Sequence, residues 1–169
     1  MELKDYFSML QSGDKNAFIN IYNELKTPVF TIACRIVQSR EVAEDITHDV
    51  FVKLYTSPPD STVNNPRAWV FQMARNLSID ALRRKTCDDI DGVELAAADE
   101  LDGTLTRIDI EKAIGRLELD ERDILSLHLV CDLGFVEISR IVGMSLPAVY
   151  RRYRKAIKSV RDYMNGGEQ

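Results

Sequence analysis

The sequence predicts an all-α protein with two small helical domains joined by an acidic flexible linker. Apolar residues recur at helical spacing in both halves, and alternating β-branched runs bounded by tight turns are absent from the sequence. The chain has 169 residues, and because domains can be as small as about 50 residues, two domains fit this length. We expect a four-helix bundle over residues 1–85, a linker over 86–104 and a helix-turn-helix domain over 105–169.

The charge distribution supports this division. Residues 1–85 hold 11 basic and 10 acidic side chains, and residues 105–169 hold the same numbers. Residues 86–104 hold seven acidic side chains, no basic ones and two glycines, which is typical of a linker. The net charge of −5 therefore comes from the linker, and it does not argue against nucleic-acid binding by either domain.

The composition limits the class of protein. Hydrophobic residues make up 45% and charged residues 29% of the chain, which are ordinary values for a globular protein. No stretch approaches the roughly 18 uncharged apolar residues that a membrane span needs, and the first five residues include two acids where a signal peptide is basic. We expect a cytoplasmic protein with no membrane insertion.

Three cysteines, Cys34, Cys87 and Cys131, are too few and too scattered for a disulfide framework. Cys34 and Cys131 have apolar neighbours and are expected in the core. Cys87 lies beside charged residues and is the candidate for a redox-sensitive site.

The sequence offers no set of residues for a catalytic centre. Its two histidines, His48 and His128, are far apart, and no Gly-rich phosphate loop, metal-ligand cluster or nucleophile motif is present in the sequence. We expect a protein that is not an enzyme and that uses no metal or cofactor.

The first domain is predicted to contain four helical segments. Asp14 is a candidate N-cap for the first, before Ala17, and Pro28 is expected to kink or split this segment. Another helix is expected from Ser39 to about Tyr55, and the last from about Arg67 to Lys85 after a proline-rich loop. The inward positions expected on these last two helices are Val42, Ile46, Val50, Phe51, Leu54, Trp69, Val70, Met73, Leu77 and Leu82, with core and interface positions equally open for Phe51.

The second domain shows the pattern of a helix-turn-helix. Helices are predicted over 105–117, 120–131, 135–142 and 146–164, and only Gly143, Met144 and Ser145 separate the last two. Gly143 suits the left-handed turn, and Ser145 can cap the final helix. The inward stripe expected on that helix is Val149, Tyr153, Ile157 and Val160.

The final helix is strongly cationic. Residues 145–161 contain six basic side chains and no acid. Such a run is often only a solvated helix face. Here it lies on the element that a helix-turn-helix inserts into the major groove, where arginine can contact guanine edges or phosphates. The pattern therefore favours DNA binding.

Three segments resemble a known family. The segment 43–55, which begins Ala-Glu-Asp-Ile, resembles the core-binding helix of RNA polymerase sigma factors. The segment 65–84, which begins Asn-Pro-Arg-Ala-Trp, resembles the adjoining helix that melts and reads the −10 promoter element. The helix-turn-helix is similar to the domain that reads the −35 element. Because all three occur in the family's order, the chain resembles an extracytoplasmic-function (group 4) sigma factor of the sigma-70 family.

The resemblance implies partners and contact residues. Core RNA polymerase would be contacted at its clamp coiled coil and its flap, and promoter DNA and an anti-sigma factor are the other expected partners. The residues expected to bind core polymerase are Glu44, Asp45, Asp49 and Phe51. Those expected at the −10 element are Asn76, Asp80, Arg83 and Arg84, and those expected at the −35 element are Tyr150, Arg151, Arg152, Arg154 and Lys155.

The sequence leaves some alternatives open. In the family the linker threads the polymerase cleft, but it can equally be a simple tether, and the loop 56–65 is expected to receive a flipped base without a residue-level assignment. Tyr150 replaces a typical basic residue, so it is a candidate to contact a thymine methyl group or stack along the backbone. A stand-alone helix-turn-helix regulator would instead bind paired half-sites without polymerase, and a polymerase-binding protein that has lost promoter reading would not need its arginines.

Overall fold

The computed structural model describes residues 1–88 and 105–166, and within these ranges the regular elements are all α-helices. The chain divides into two compact units, Met1–Val93 and Glu94–Gln169. This division falls inside the predicted acidic linker, of which residues 89–104 lie outside the described part of the chain. The predicted all-α class is confirmed.

The first unit contains four helices, α1 (Leu3–Gln11), α2 (Ala17–Val37), α3 (Arg40–Thr56) and α4 (Pro66–Asp88). The long helix α2 packs against each of the other three. The core lies around α2, and the largest of its fully buried side chains come from all four helices: Phe7, Ile21, Leu25, Ile32, Leu54 and Phe71.

Helix α1 was not predicted from the sequence. It has only nine residues, and Phe7 and Leu10 are its buried side chains. Its first turn is held by the Glu2 N–H, which donates to Asp5 Oδ2 at 2.8 Å. An isolated helix this short is not stable in water, so packing against α2 holds it in place.

Pro28 does not split the helical segment that follows Asp14, contrary to one of the two expectations. Helix α2 runs unbroken from Ala17 to Val37 with Pro28 inside it. Leu25 and Val29, on either side of the proline, are both fully buried, and so the apolar face continues through it. Packing of this face against α3 and α4 offsets the cost of about 3 kcal/mol that an internal proline carries.

Helix α3 begins as predicted, because the Ser39 hydroxyl accepts a hydrogen bond from the Val42 N–H at 3.5 Å. Val42 itself is only half-buried. Phe51 is 4% exposed and belongs to the core, which was one of the two positions left open for it. The other buried residues of α3 are Ala43, Ile46, Val50 and Leu54.

The buried face of α4 differs from the predicted one. Of the expected inward residues, Val70 is fully buried, but Trp69, Met73, Leu77 and Leu82 are half-buried. The fully buried positions are Val70, Phe71, Ala74 and Ser78. Because Ser78 Oγ donates to the Ala74 carbonyl at 2.7 Å, this polar side chain is satisfied within the helix and can occupy the core.

The second unit also contains four helices, α5 (Leu105–Gly115), α6 (Leu119–Leu129), α7 (Phe135–Val142) and α8 (Leu146–Gly166). Helix α8 packs against the other three. A buried cluster joins α5, α6 and α8 through Ile114, Leu117, Leu125 and Ala156. Arg122 closes the end of α5 by donating from Nη2 to the carbonyls of Gly115 and Leu117 at 3.0 and 2.9 Å.

The turn between α7 and α8 confirms the helix-turn-helix prediction. Gly143 has a φ of +69°, in the left-handed region that favours glycine. The Met144 N–H then donates to the Ser139 carbonyl at 3.1 Å. At the start of α8, the Ser145 hydroxyl accepts from the Ala148 N–H at 3.4 Å, so the predicted capping residue is also confirmed.

The prediction of an inward stripe on α8 is wrong at one residue. Val149 is fully buried and Tyr153 and Val160 are partly buried, but Ile157 is 36% exposed. Ala156 takes the buried position instead. A helix repeats every 3.6 residues, so two successive steps of four residues, from Val149 to Tyr153 and then to Ile157, rotate the last residue away from the buried face. Steps of four, three and four, from Val149 through Tyr153 and Ala156 to Val160, stay on that face.

Two remaining expectations concern cysteines and membranes. Cys131 is buried as predicted, Cys34 is half-buried, and the side chain of Cys87 lies outside the described part of the chain. None of the helices in the described ranges combines the length and the apolar composition needed to cross a bilayer.

Candidate nucleic-acid and partner interfaces

Helix α3 presents carboxylates to solvent. Glu44, Asp45 and Asp49 are all exposed, and Asp45 and Asp49 share one side of the helix because they are four residues apart. Glu44 Oε1 lies 3.0 Å from Arg40 Nε, but both side chains are 58% exposed. An exposed pair within one helix contributes only about 0.3–0.5 kcal/mol, so Glu44 can exchange Arg40 for a partner's cation at little cost.

An aromatic groove lies between α2 and α3, beside these acids. It has a volume of about 560 Å³. Its rings contact each other edge to face, with centroids 4.8 Å apart for Tyr22 and Phe51 and 5.1 Å apart for Phe18 and Tyr55. The lining residues are Phe18, Tyr22, Phe30, Glu44, Thr47, His48, Phe51, Val52 and Tyr55.

The groove has a buried floor and an exposed rim. Phe51 forms the floor, whereas Tyr22, Val52 and Tyr55 are exposed. Lysines flank the rim, with Lys15 Nζ 4.7 Å from the centroid of the Tyr55 ring and Lys26 Nζ 5.5 Å from that of Tyr22. Exposed apolar patches with polar edges mark interaction sites, so this surface is a candidate partner interface.

Sequence reasoning identified Phe51 and Glu44 but missed the groove. The available signal was a pair of aromatic residues four apart on each helix, Phe18 with Tyr22 and Phe51 with Tyr55. Residues four apart share a helix face. What could not be read from the sequence is that the two pairs face each other across α2 and α3.

Helix α4 presents a polar face opposite its buried one. Asn76, Asp80, Arg83 and Arg84 are all exposed, and spacings of four and three place the first three on one side of the helix. Arg83 Nη1 lies 4.0 Å from Asp80 Oδ1 on this face. The structure therefore brings together the residues predicted to contact the −10 element.

The loop before α4 has a defined backbone. Asp60 Oδ1 accepts hydrogen bonds from the Thr62 hydroxyl and from the Thr62 N–H, and these bonds, the hydroxyl first, lower the pKa of Asp60. The Asn65 side chain accepts from the Ala68 N–H at 3.0 Å and so caps α4. Gln11 of α1 donates to the Asp60 carbonyl at 3.4 Å, which ties the loop to the bundle.

Helix α8 carries its cations on two different faces. Arg151, Arg154, Lys158 and Arg161 are exposed and follow spacings of three, four and three, so they form one continuous strip. Tyr150 is 47% exposed beside this strip. We call these four cations, together with Tyr150, the cationic strip.

Arg152 and Lys155 lie on the flank of α8 that faces the start of α6. Arg152 Nη1 is 3.4 Å from Asp120 Oδ2, and Lys155 Nζ is 2.6 Å from Glu121 Oε1. Glu118 lies within 3.6 Å of both cations. The hydrogen bond to Glu121 is the main cause that raises the pKa of Lys155. Three of the five residues predicted at the −35 element thus belong to the cationic strip, and two form ion pairs inside the domain.

Across residues 1–88 and 105–166, no group of three or more His, Cys, Asp or Glu side chains is arranged to hold a metal ion. His48 instead lines the aromatic groove.

Family models match both units. Sigma-70 region 2 matches residues 21–86, and sigma-70 region 4 matches residues 107–160. Similar sequences include the ECF RNA polymerase sigma factor SigW of Bacillus subtilis, which is 25% identical over 95% of this chain and 96% of its own length. SigK of Mycobacterium ulcerans, also described as an ECF RNA polymerase sigma factor, is 21% identical over 97% of this chain and 94% of its own.

Solved structures share the fold. The sigma factor RpoE of Bartonella quintana, in complex with the anti-sigma factor NepR, has a TM-score of 0.76 at 19% identity and covers 88% of this chain and 96% of its own. CnrH, in complex with the cytosolic domain of CnrY, has a TM-score of 0.68 at 18% identity, and the match covers 96% of this chain and 97% of the CnrH chain. The two matched regions, in this order along an all-α chain, favour a sigma factor over a stand-alone helix-turn-helix regulator. The chain therefore belongs to the sigma-70 family and is an RNA polymerase sigma factor of the extracytoplasmic-function type.

Proposed function

We propose that residues 1–85 of this sigma factor bind core RNA polymerase and the −10 element, that residues 105–169 bind the −35 element, and that residues 86–104 join the two. The observation that carries this assignment is the opposite chemistry of two exposed surfaces. Helix α3 presents carboxylates beside an aromatic groove. Helix α8 presents four cations in one strip.

Core polymerase binds to α3 in this proposal. Asp45 and Asp49 provide the exposed charges that attract a basic coiled coil, which is the clamp element that the family resemblance implies. Glu44 exchanges its weak pairing with Arg40 for a partner cation. Phe51, on the floor of the aromatic groove, contacts an apolar side chain that enters from the partner. A second contact joins the C-terminal domain to the polymerase flap.

The polar face of α4 reads the −10 element. Asn76 and Asp80 supply groups that hydrogen-bond to base edges, while Arg83 and Arg84 hold the backbone of the opened strand. The loop before α4 receives a flipped base, and the hydrogen bonds of Asp60 and Asn65 fix its backbone in advance. A loop fixed before binding loses less conformational entropy on binding DNA.

The −35 element is bound by the cationic strip of α8. Tyr150, Arg151 and Arg154 lie in the first half of the helix, which is the part of a recognition helix that contacts base edges. Arg152 and Lys155 hold α8 against α6 through their ion pairs and add positive potential towards the phosphates.

Regulation by an anti-sigma factor is the remaining part of the proposal. Two structural neighbours are described as complexes with an anti-sigma factor or with the cytosolic domain of another protein. The exposed aromatic rim of the groove on this chain is a surface that such a partner can cover. The protein acts in the cytoplasm, where core polymerase is, and it catalyses no reaction itself.

Two sets of variants separate the proposed contacts. The double variant Asp45→Lys and Asp49→Lys is expected to lose core binding, measured by size-exclusion chromatography with purified core polymerase. Asp109→Lys is the control, since Asp109 is also exposed but lies on α5. Normal core binding by the double variant would contradict the assignment of α3.

The −10 assignment is tested on the holoenzyme with a single-stranded oligonucleotide that carries the non-template −10 sequence. Arg83→Ala is expected to make the negative slope of log affinity against log salt shallower by about 0.7, the value for one phosphate contact on a single strand. Arg107→Ala, an exposed arginine of α5, is the control. An unchanged slope in Arg83→Ala would remove this residue from the DNA interface.

A further inference from the structure

A stack of four aromatic rings joins α6, α7 and α8. His128 stacks on Phe135 with centroids 4.4 Å apart and an angle of 22° between the planes. Tyr153 contacts both rings edge to face, at 5.1 and 5.0 Å. His128 is fixed in turn, because its Nδ1 donates to the Leu133 carbonyl at 2.9 Å. The stack therefore has a rigid base inside the domain.

Tyr150 is the exposed end of this stack. Its ring centroid lies 4.5 Å from that of Phe135, with the planes tilted by 40°. Phe135 is half-buried, whereas about half of the Tyr150 surface is open to solvent. Contact with Phe135 restricts the rotamers of Tyr150, so the ring is held in one direction before DNA binds.

The start of the recognition helix before Tyr150 is uncharged. The five residues before it, Ser145 to Val149, carry no charge, and Pro147 among them is exposed. The first cation, Arg151, comes directly after Tyr150. The leading part of α8 is therefore suited to contact apolar groups on DNA, and the cations behind it are suited to contact phosphates.

The major groove offers one apolar group that depends on sequence, the methyl group at C5 of thymine. We infer that Tyr150 contacts a thymine methyl group of the −35 element and is a specificity-determining residue, and that Phe135 is a positioning residue that holds its ring. The inference rests on the proposed binding of the −35 element by α8 and deepens it by naming the base.

Replacing thymine by deoxyuridine removes only the methyl group, so it tests the inference directly. The −35 sequence is first selected from duplexes with a randomised upstream element, using holoenzyme with the wild-type protein. Each thymine is then replaced singly by deoxyuridine, and holoenzyme affinity is measured. We expect one thymine at which the replacement weakens binding about fourfold, the factor for burying one methyl group.

Variants assign this effect to the stack. Tyr150→Ala is expected to bind the thymine and deoxyuridine promoters equally. Tyr150→Phe keeps the ring, so its affinity for the thymine promoter is expected to stay about four times its affinity for the deoxyuridine promoter. Phe135→Leu keeps apolar bulk but not the ring, and it is expected to lower the ratio towards one. Far-UV circular dichroism and thermal unfolding check that each variant is folded. A purely structural role of Phe135 would lower affinity for both promoters and leave the ratio unchanged.

Two results would overturn the contact with Tyr150: no thymine sensitive to the replacement, or a ratio that persists in Tyr150→Ala. An unchanged ratio in Phe135→Leu would overturn the positioning role of Phe135. Arg154→Ala is the control, since it is expected to weaken binding to both promoters equally. If neither Arg151→Ala nor Arg154→Ala weakened promoter binding, the assignment of α8 to DNA would fail as well. The arginine variants therefore distinguish failure of the proposed function from failure of the inference alone.

Discussion

Lys155 and Glu121 form an ion pair between α8 and the start of α6, with 2.6 Å between Nζ and Oε1. The Glu121 side chain is 3% exposed, whereas that of Lys155 is 59% exposed. One cation that the sequence places with the DNA-binding residues thus also neutralises a buried carboxylate. Cations of α8 that look alike in the sequence therefore have different roles in the domain.

The first prediction concerns these two groups of cations. Arg154→Ala is expected to make the negative slope of log affinity against log salt for promoter duplex shallower by about one, because one phosphate contact is lost. Lys155→Ala is expected to change the slope by less than half as much and to lower the melting temperature of the protein, because Glu121 loses its partner. Holoenzyme binding is measured across a range of KCl concentrations. Equal slope changes in the two variants would place Lys155 at a phosphate.

A pH dependence follows from the same pair. Glu121 raises the pKa of Lys155 above its ordinary value of 10.5, so the stability contributed by this lysine is complete below that value and is lost as pH rises through the folded-state pKa. The difference in melting temperature between wild type and Lys155→Met is therefore expected to be constant from neutral pH to about 10 and to shrink above it. Calorimetry over this range checks the prediction. A difference that disappears near neutral pH would contradict it.

The floor and the rim of the aromatic groove are expected to respond differently to truncation. Phe51→Ala removes a ring that is 4% exposed and is expected to lower the free energy of unfolding by about 3 kcal/mol. Tyr55→Ala, at a position 40% exposed, is expected to lower it by less than about 1 kcal/mol while weakening core polymerase binding. Urea unfolding and a core-binding assay give the two readouts. A stable Phe51→Ala protein would contradict the assignment of this ring to the core.

Gly143 gives a prediction about the turn. Gly143→Ala is expected to lower the free energy of unfolding by about 1–2 kcal/mol, because φ is +69° and a side chain there is strained. No atom outside Gly143 and its two chain neighbours lies within 4 Å of the added Cβ, so the cost arises from the backbone alone. Gly115→Ala is the matched control at the end of α5, where the added Cβ also meets nothing, and it is expected to stabilise by about 0.4–1 kcal/mol. Equal effects of the two substitutions would contradict a left-handed Gly143.

The second unit could be predicted closely from the sequence. All of its helix boundaries fall within two residues of those expected. Gly143, Ser145 and Pro147 supply local stop and start signals whose effect does not depend on distant residues. Local chemistry of this kind is what a single sequence shows best.

The first unit shows what a sequence does not fix. Helix α4 carries apolar residues around much of its circumference, from Trp69 and Val70 to Leu77 and Ile79, so periodicity alone does not select the buried face. Packing against α2 and α3 selects Phe71 and Ala74. Contacts with α3 and α4 likewise keep α2 continuous through Pro28.

The candidate sites show the same difference between features set along one helix and features set by packing between helices. Spacing along one helix correctly groups Asn76, Asp80 and Arg83 on an exposed face of α4. It could not show that Arg152 and Lys155 meet acids more than 30 residues earlier in the chain, because that pairing depends on how α8 packs on α6. The aromatic groove between α2 and α3 depends on helix packing in the same way.

The most direct test of the central claim is run-off transcription on fragmented genomic DNA with purified core polymerase, with and without this protein. The account predicts new transcripts with defined starts that share one pair of upstream elements, and it predicts that the Asp45→Lys and Asp49→Lys double variant gives none. Transcript patterns that are identical with and without the protein would contradict the account.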